Sequence, residues 1–366
     1  MRTTDIARVY DHSGPFLTLY LETSGDVENA GARVELRWKN VRADLLRQGV
    51  PEGLLATVDP LVEGSHVAGA TLALIASVDG VLWSANLPEP PPREVVARWD
   101  TLPSVVPLLA HEQSLVPHVA VLASRAAAEL VARTPDGDGS RPVAVEGERP
   151  PHLTRSGPGG WSQPRYQHRA EVQWERNAAE VAEVLTDMVD RVRPRLVAVA
   201  GDVRAVQLLR EKSPKRVESL IEVVGGELAS VDDVLEEAAK LVRATVERDT
   251  GELLDRFEQE RGPHDLAAEG AAACFAALAR AQVDTLLVSD RPDERRGAWF
   301  GEAGQQVALD RETLLAAGVA APARGRLVDV AVRAALTTGS SVRVLDPDAG
   351  RAPREGLGAL LRFPTP

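Results

Sequence analysis

Apolar and polar residues alternate with period two over 16–22 (FLTLYLE), which predicts a strand. Over 28–48 the apolar positions Val34, Leu36, Trp38, Val41, Leu45 and Leu46 follow helical spacing, and a second, shorter helix is predicted over 52–62 after Pro51. The runs 70–76 and 81–87 flank Asp79-Gly80, a hairpin signal. Pro88 to Pro92 reads as a connection, and 93–99 as a short helix or strand. These elements predict a compact α+β domain over 1–104.

The pattern then restarts. Residues 117–124 (PHVAVLAS) predict a strand, and 126–133 fit its antiparallel partner. Residues 134–164 are rich in Pro and Gly without apolar periodicity, so they read as loop. A long helix is predicted over 166–192, with Val172, Ala179, Val181, Val184, Leu185, Met188 and Val189 facing inward. A strand (195–201), a helix (203–212), a strand (220–225) and a helix (231–257) follow. Alternating strands and helices predict a sheet with at least one parallel pair and crossover helices. Asp202 is placed to cap helix 203–212, and Ser230 ahead of Asp232 and Asp233 marks the next helix start. This second domain spans 105–258.

The third, 259–366, is predicted to hold a helix (266–281), a strand (283–290), a Gly- and Arg-rich segment (291–306), a helix (326–338), and strands at 341–346 and 356–363. The fold class expected is therefore α/β in three domains.

Charge changes the picture at one place. The chain has 366 residues and a net charge of −12, which argues against a general nucleic-acid binder and against DNA. Yet residues 149–170 hold Arg149, His152, Arg155, Arg165, His168 and Arg169 and no acid, closed off by Glu148 and Glu171. In that loop Gly157, Gly159 and Gly160 permit close backbone approach. The arginines suit phosphates, and Trp161 and Tyr166 offer faces for stacking on unpaired bases. A solvated Gly/Pro loop with incidental charge is the plainer alternative.

Other chemistry is thinly represented. The one cysteine, Cys274, lies among Ala, Phe and Leu and reads as a small buried hydrophobe. His111, His118, His152, His168 and His264 show no ligand spacing, so no metal site is expected. There is no phosphate-cradling Gly-Lys-Ser/Thr loop, so no cofactor is expected. No apolar run approaches the roughly 18 residues of a membrane span, and 1–14 carries no apolar signal core. A cytoplasmic protein without membrane contact is the expectation. Arg204, Arg210, Lys212, Lys215 and Arg216 form a locally basic set, either an RNA contact or a helix-end charge cluster. Arg291, Arg295 and Arg296 with Trp299 and Phe300 form a candidate partner loop, or an ordinary surface loop.

The third domain resembles the C-terminal domain of the archaeo-eukaryotic peptide release factor and Pelota superfamily. The resemblance rests on VDTLLVSD (283–290), LVDVAVRAALTTGSSVRVLD (327–346) and a Gly-rich ending in which Gly356, Gly358, Ala359, Leu361, Arg362 and Phe363 fit. The central domain is similar to the family's central domain, which carries Gly-Gly-Gln followed by Ser-x-x-Arg-Phe. Here the loop reads Gly159-Gly160-Trp161-Ser162-Gln163-Pro164-Arg165-Tyr166. The resemblance covers about 105–366 well and 1–104 weakly. It implies an RNase-H-like central domain and a ribosomal-protein-like α/β C-terminal domain. It further implies a translation factor acting in the ribosomal A site, with the 70S ribosome, ribosomal RNA and a translational GTPase such as elongation factor Tu as partners.

Two departures shape the expected function. Residues 1–104 contain neither Asn-Ile-Lys-Ser nor Tyr-x-Cys-x-x-x-Phe, so stop-codon reading is not implied. Trp161 replaces the family's catalytic glutamine, which points away from peptide release. The sequence looks most like the Balon-type ribosome hibernation factors of actinobacteria, a non-catalytic, stress-linked group. On that reading Arg155, Gly159, Gly160, Trp161, Ser162, Gln163, Arg165, Tyr166, His168 and Arg169 contact RNA, and none is catalytic. The alternative is a peptidyl-tRNA hydrolase, a peptide-release or ribosome-rescue enzyme, in which Gly160-x-x-Gln163 presents a carboxamide to orient water. A nuclease would need clustered carboxylates on the sheet, and the strand at 117–124 has none.

Overall fold

The computed structural model describes residues 6–23, 30–65, 71–87, 95–135, 142–146, 163–225, 228–261, 266–290 and 295–364, with backbone only at residue 30 and over 163–170. The chain forms two compact units. One spans 114–251; the other joins 2–113 to 252–366.

In the N-terminal segment β1 (Phe16–Glu22) is followed by α1 (Ala30–Arg47), α2 (Glu52–Ser65), β2 (Thr71–Ser77), β3 (Gly80–Leu87), β4 (Val95–Asp100) and α3 (Val106–Ser114). The strands make an antiparallel sheet in the order β3-β2-β1-β4, and Asp79-Gly80 turns the β2–β3 hairpin as predicted. Of the segment 93–99, expected as a short helix or strand, residues 95–99 belong to strand β4 and 93–94 lie outside the described residues. Leu17, Leu19 and Leu21 bury against Trp38, Leu45, Leu55 and Val58 of α1 and α2. The Trp38 indole donates to Asp59, which satisfies its one polar atom.

The central segment contains β5 (His118–Ala123), β6 (Ala127–Arg133), β7 (Val143–Glu146), α4 (Gln163–Val192), β8 (Leu196–Gly201), α5 (Val203–Lys212), the short α6 (Lys215–Glu218), β9 (Ile221–Val223) and α7 (Val231–Glu260). The sheet order is β7-β6-β5-β8-β9. Strands β5, β8 and β9 are parallel, and β6 is antiparallel to both its neighbours. This is the RNase-H-like arrangement that the resemblance implied. Val119 and Val121 bury against Val181, Leu185 and Met188 of α4 and against α5. Ala120 on the opposite face meets Val234 and Ala238 of α7. The α7 start is a capping box: Asp233 N–H donates to Ser230 Oγ at 3.2 Å, and Asp233 Oδ2 accepts from Ser230 N–H at 2.9 Å.

Strand β7 lies inside the stretch read as loop. In α4 Val181, Leu185, Met188 and Val189 are buried as predicted and Val184 packs against them; Val172 and Ala179 are exposed instead, and Asn177 and Ala178 are buried.

In the C-terminal segment β10 (Ala267–Glu269), α8 (Ala271–Ala279), β11 (Val283–Val288), β12 (Gly297–Phe300), β13 (Val307–Ala308), α9 (Arg311–Ala316), β14 (Ala323–Arg326), α10 (Leu327–Thr337), β15 (Ser341–Val344) and β16 (Leu357–Leu361) follow. Two sheets result, β10-β16-β11-β15 and β13-β12-β14. The helix expected over 266–281 is a short strand and then a helix. Ala267–Glu269 pairs with β16, and Gly270, at φ 83°, turns the chain into α8.

Within this unit the other face of the N-terminal sheet is covered too. Phe16, Thr18 and Tyr20 are buried, although they alternate with the leucines that face α1 and α2. The Tyr20 hydroxyl donates to Ser104 O, Thr101 Oγ1 donates to Arg324 O, and Gln113 Nε2 donates to Val342 O. The last two bonds join residues 223 and 229 positions apart, so the N- and C-terminal segments fold as one body.

Candidate functional site

Of the ten residues expected to contact RNA, Arg155, Gly159, Gly160, Trp161 and Ser162 lie outside the described residues. Gln163, Arg165, Tyr166, His168 and Arg169 belong to the first two turns of α4, where the backbone alone is described. What can be built is the base that holds this helix. At 1.5 Å per residue, the 30 residues of α4 make a rod of about 45 Å. Packing into the core begins at Asn177 and Ala178.

The grip on the helix is polar and sits at one end of β5 and β8. Gly201 ends β8 at φ 123°, and its N-terminal neighbours run beside β5. A Cβ on Gly201 would lie 1.8 Å from Ala123 O, so only glycine fits. The next residue, Asp202, donates its N–H to Ala123 O at 2.9 Å. Its carboxylate accepts from the N–H groups of Arg204 (3.0 Å) and Ala205 (3.2 Å), which caps α5 as the sequence predicted.

The same Oδ1 accepts from Arg125 Nε at 3.0 Å. Arg125 sits in the turn between β5 and β6, and its guanidinium lies 4.5 Å over the Trp174 ring of α4. Its carbonyl accepts from Asn177 Nδ2 at 3.0 Å, and Asn177 Oδ1 accepts from Gln173. One arginine therefore ties β5, α4 and α5 together. The Arg125 guanidinium and the backbone donors hold the Asp202 carboxyl below the usual carboxylate range, against an opposing contribution from burial. Arg125, Trp174 and Asn177 were not singled out by sequence reading. They sit in ordinary helix and turn sequence, and only the fold brings them to Asp202.

The basic set near α5 is neutralised in the structure. Arg204 pairs with Glu171, Lys212 with Glu175, Lys215 with Glu218, and Arg216 with Asp190. Arg210 donates to Ile221 O. These contacts favour the helix-end charge cluster over an RNA contact, and two of them further brace α4 through Glu171 and Glu175. Exposed pairs of this kind add little stability each.

Cys274 is fully buried, and burial pushes its thiol up to about 12, so it is inert as expected. His118 is held below its ordinary value by burial, with Nδ1 2.8 Å from Val116 O. No group of three or more His, Cys, Asp or Glu that could hold a metal occurs among the described residues. Among them no helix is long and apolar enough to cross a membrane.

Residues 117–263 match the family model of bacterial archaeo-eukaryotic release factor family 2. Over this central segment the chain is similar to that bacterial release factor family. Over nearly its whole length it is similar to the uncharacterized protein Rv2629 of Mycobacterium tuberculosis (strain H37Rv), 29% identical over 371 residues, covering 99% of this chain and 97% of the relative. Among solved structures it is similar to the archaeal translation termination factor aRF1 (16% identity, 99% of each chain, TM-score 0.26). It is also similar to a model of ribosome-bound archaeal Pelota and ABCE1 (13% identity, 100% and 95% of the chains, TM-score 0.40).

Proposed function

We propose that this chain is a non-catalytic, ribosome-binding translation factor that occupies the A site, of the hibernation type, and that loop 150–170 contacts ribosomal RNA there. The observation that carries this reading is Trp161, inside the segment matched to the release factor family. It stands where the resembled release enzymes have glutamine. An indole cannot present the carboxamide that orients a hydrolytic water, but it offers a face for stacking on a base. Arg155, Arg165 and Arg169 supply phosphate neutralisation, and Gly159 and Gly160 supply close approach. Ser162, Gln163, Tyr166 and His168 complete the polar and stacking surface. The clamp of Arg125, Trp174, Asn177 and Asp202 supports the reading, because it fixes the helix that carries the end of this loop. A translational GTPase such as elongation factor Tu is the delivering partner that the resemblance suggests for the C-terminal segment.

A peptide-release assay separates this reading from a hydrolase that uses Gln163. Ribosomes loaded with peptidyl-tRNA are incubated with the wild-type chain or with Gln163→Ala. Equal, background-level release by both is expected. Release by the wild type that disappears in Gln163→Ala would overturn the non-catalytic reading and establish a peptidyl-tRNA hydrolase.

A further inference from the structure

A pocket of about 510 Å³ in the unit built from 2–113 and 252–366 is lined by Arg98, Arg295, Arg296, Arg324 and Arg326, with Asp100, Gly297 and Gly325. Three of the arginines come from separated parts of the chain by simple strand geometry. On β4, Val95, Ala97 and Trp99 pack toward α1 and α2, so Arg98 and Asp100 point to the opposite face, where the C-terminal segment lies. On β14, Arg324 and Arg326 are two residues apart and share a face. Arg324 is laid over β12: a Cβ on Gly297 would come within 2.6 Å of its Nε, and the glycine leaves that space open.

Carboxylates engage part of this arginine set. Arg326 is paired with Asp290, and Arg296 donates to Glu355 O at 2.7 Å and lies 3.7 Å from its carboxylate. With Asp290, Asp329, Glu355 and Asp100 counted, five guanidiniums meet four carboxylates among the described residues. Concentrating like charges is unfavourable, and here strand pairing and packing hold them together. No aromatic or aliphatic side chain lines the pocket, so it offers nothing to a base or an apolar ligand. Guanidiniums suit the planar, two-point hydrogen bonding of phosphate oxygens, and the volume exceeds that of one phosphate.

We propose that this pocket is a second anion site that binds adjacent phosphate groups, as a diphosphate presents them. Such groups come either from a free polyphosphorylated small molecule or from the backbone of a folded RNA. The site is separate from loop 150–170 and does not rest on the loop's proposed role.

The test is isothermal titration of the full chain with inorganic pyrophosphate at low ionic strength, beside anisotropy of a labelled RNA hairpin with and without pyrophosphate. The variants are Arg295→Gln/Arg324→Gln, both exposed side chains, and Arg204→Gln in the other unit as control. Saturable pyrophosphate binding is expected, weakened at least tenfold in the double variant and unchanged in Arg204→Gln. The single variant Arg295→Gln, checked for an unchanged melting curve, should weaken it severalfold and guards against misfolding of the pair. Hairpin binding that pyrophosphate displaces, and that the double variant weakens, makes RNA the source of the phosphates. Pyrophosphate binding with no displacement of the hairpin makes the source a free small molecule. No saturable pyrophosphate binding by the wild type, or equal binding by the double variant, overturns the proposal. Neither result bears on ribosome binding through the loop.

Discussion

Replacing Asp329 by asparagine should stabilise the unit built from 2–113 and 252–366, increasingly so as pH rises to 7. Asp329 lies on α10, 3% exposed, facing Ser104, Tyr10, Arg98, Arg326 and Asp290. Arg326 is 3.7 Å away and Ser104 donates a hydrogen bond, but Arg326 is already engaged by Asp290, and Asp329 Oδ1 has no partner. Burial therefore outweighs the attraction of the arginines and pushes the carboxyl from 3.8 to about 7.

Between those values the folded chain keeps a proton that the unfolded chain has lost. The contribution of Asp329 is fully favourable below pH 4 and is lost as pH rises to about 7, after which it is level. At about 1.4 kcal/mol per pH unit, a charged Asp329 costs the fold about 4 kcal/mol above pH 7. Tyr10 does not titrate in this range, because burial beside Asp329 raises its hydroxyl well above the ordinary value.

The gain from Asp329→Asn should thus be about 2 kcal/mol larger at pH 8 than at pH 5.5, or about 4–8 °C in melting temperature for a unit of this size. Scanning calorimetry of both chains at the two pH values measures it. A variant that melts lower than wild type at pH 8, or a difference that is flat in pH, would show that the Arg326–Asp329 attraction wins and that the burial argument is wrong.

Two further outcomes follow from the central unit. Gly201→Ala should lower its melting temperature by an amount equivalent to roughly 3 kcal/mol or more, since the strained φ alone costs about 1–3 kcal/mol and the methyl meets Ala123 O; an unchanged melting curve would refute the close approach. Trp161→Ala should weaken ribosome binding by about 1–3 kcal/mol without changing its salt dependence if the indole stacks on a base; a lost salt slope would assign the residue to holding the arginines instead.

Several elements were legible because local chemistry and fold agree. The Asp79-Gly80 hairpin, the Asp202 cap and the Ser230–Asp233 helix start each depend on neighbours in sequence. The failures share one cause, pairing across distance. Ala267–Glu269 is made of good helix formers but becomes a strand because β16 offers an edge. Strand β7, at four residues, is defined by β6 alone among the described strands. Strands β12, β13 and β14 are too short to show period two.

Phe16, Thr18 and Tyr20 alternate with the leucines that face α1 and α2 yet are buried too, with Thr18 and Tyr20 bonded to Ser104, more than 80 residues later. The same holds for chemistry. Arg295 and Arg296 were visible as a cluster, but Arg98, Arg324 and Arg326 join them only through the fold. The loop composition that motivates the RNA reading was fully legible, because it is a property of sequence alone.

The most direct measurement for the proposed function is sedimentation of the purified chain with vacant 70S ribosomes on sucrose gradients across a salt series. The wild type should travel with the ribosome at low salt and be released as salt rises, with about one decade of affinity lost per decade of salt for each phosphate neutralised. Arg155→Ala/Arg165→Ala/Arg169→Ala should bind more weakly with a flatter slope, while Glu236→Gln on α7 should behave as wild type. A wild-type chain that remains at the top of the gradient at low salt would contradict the account outright.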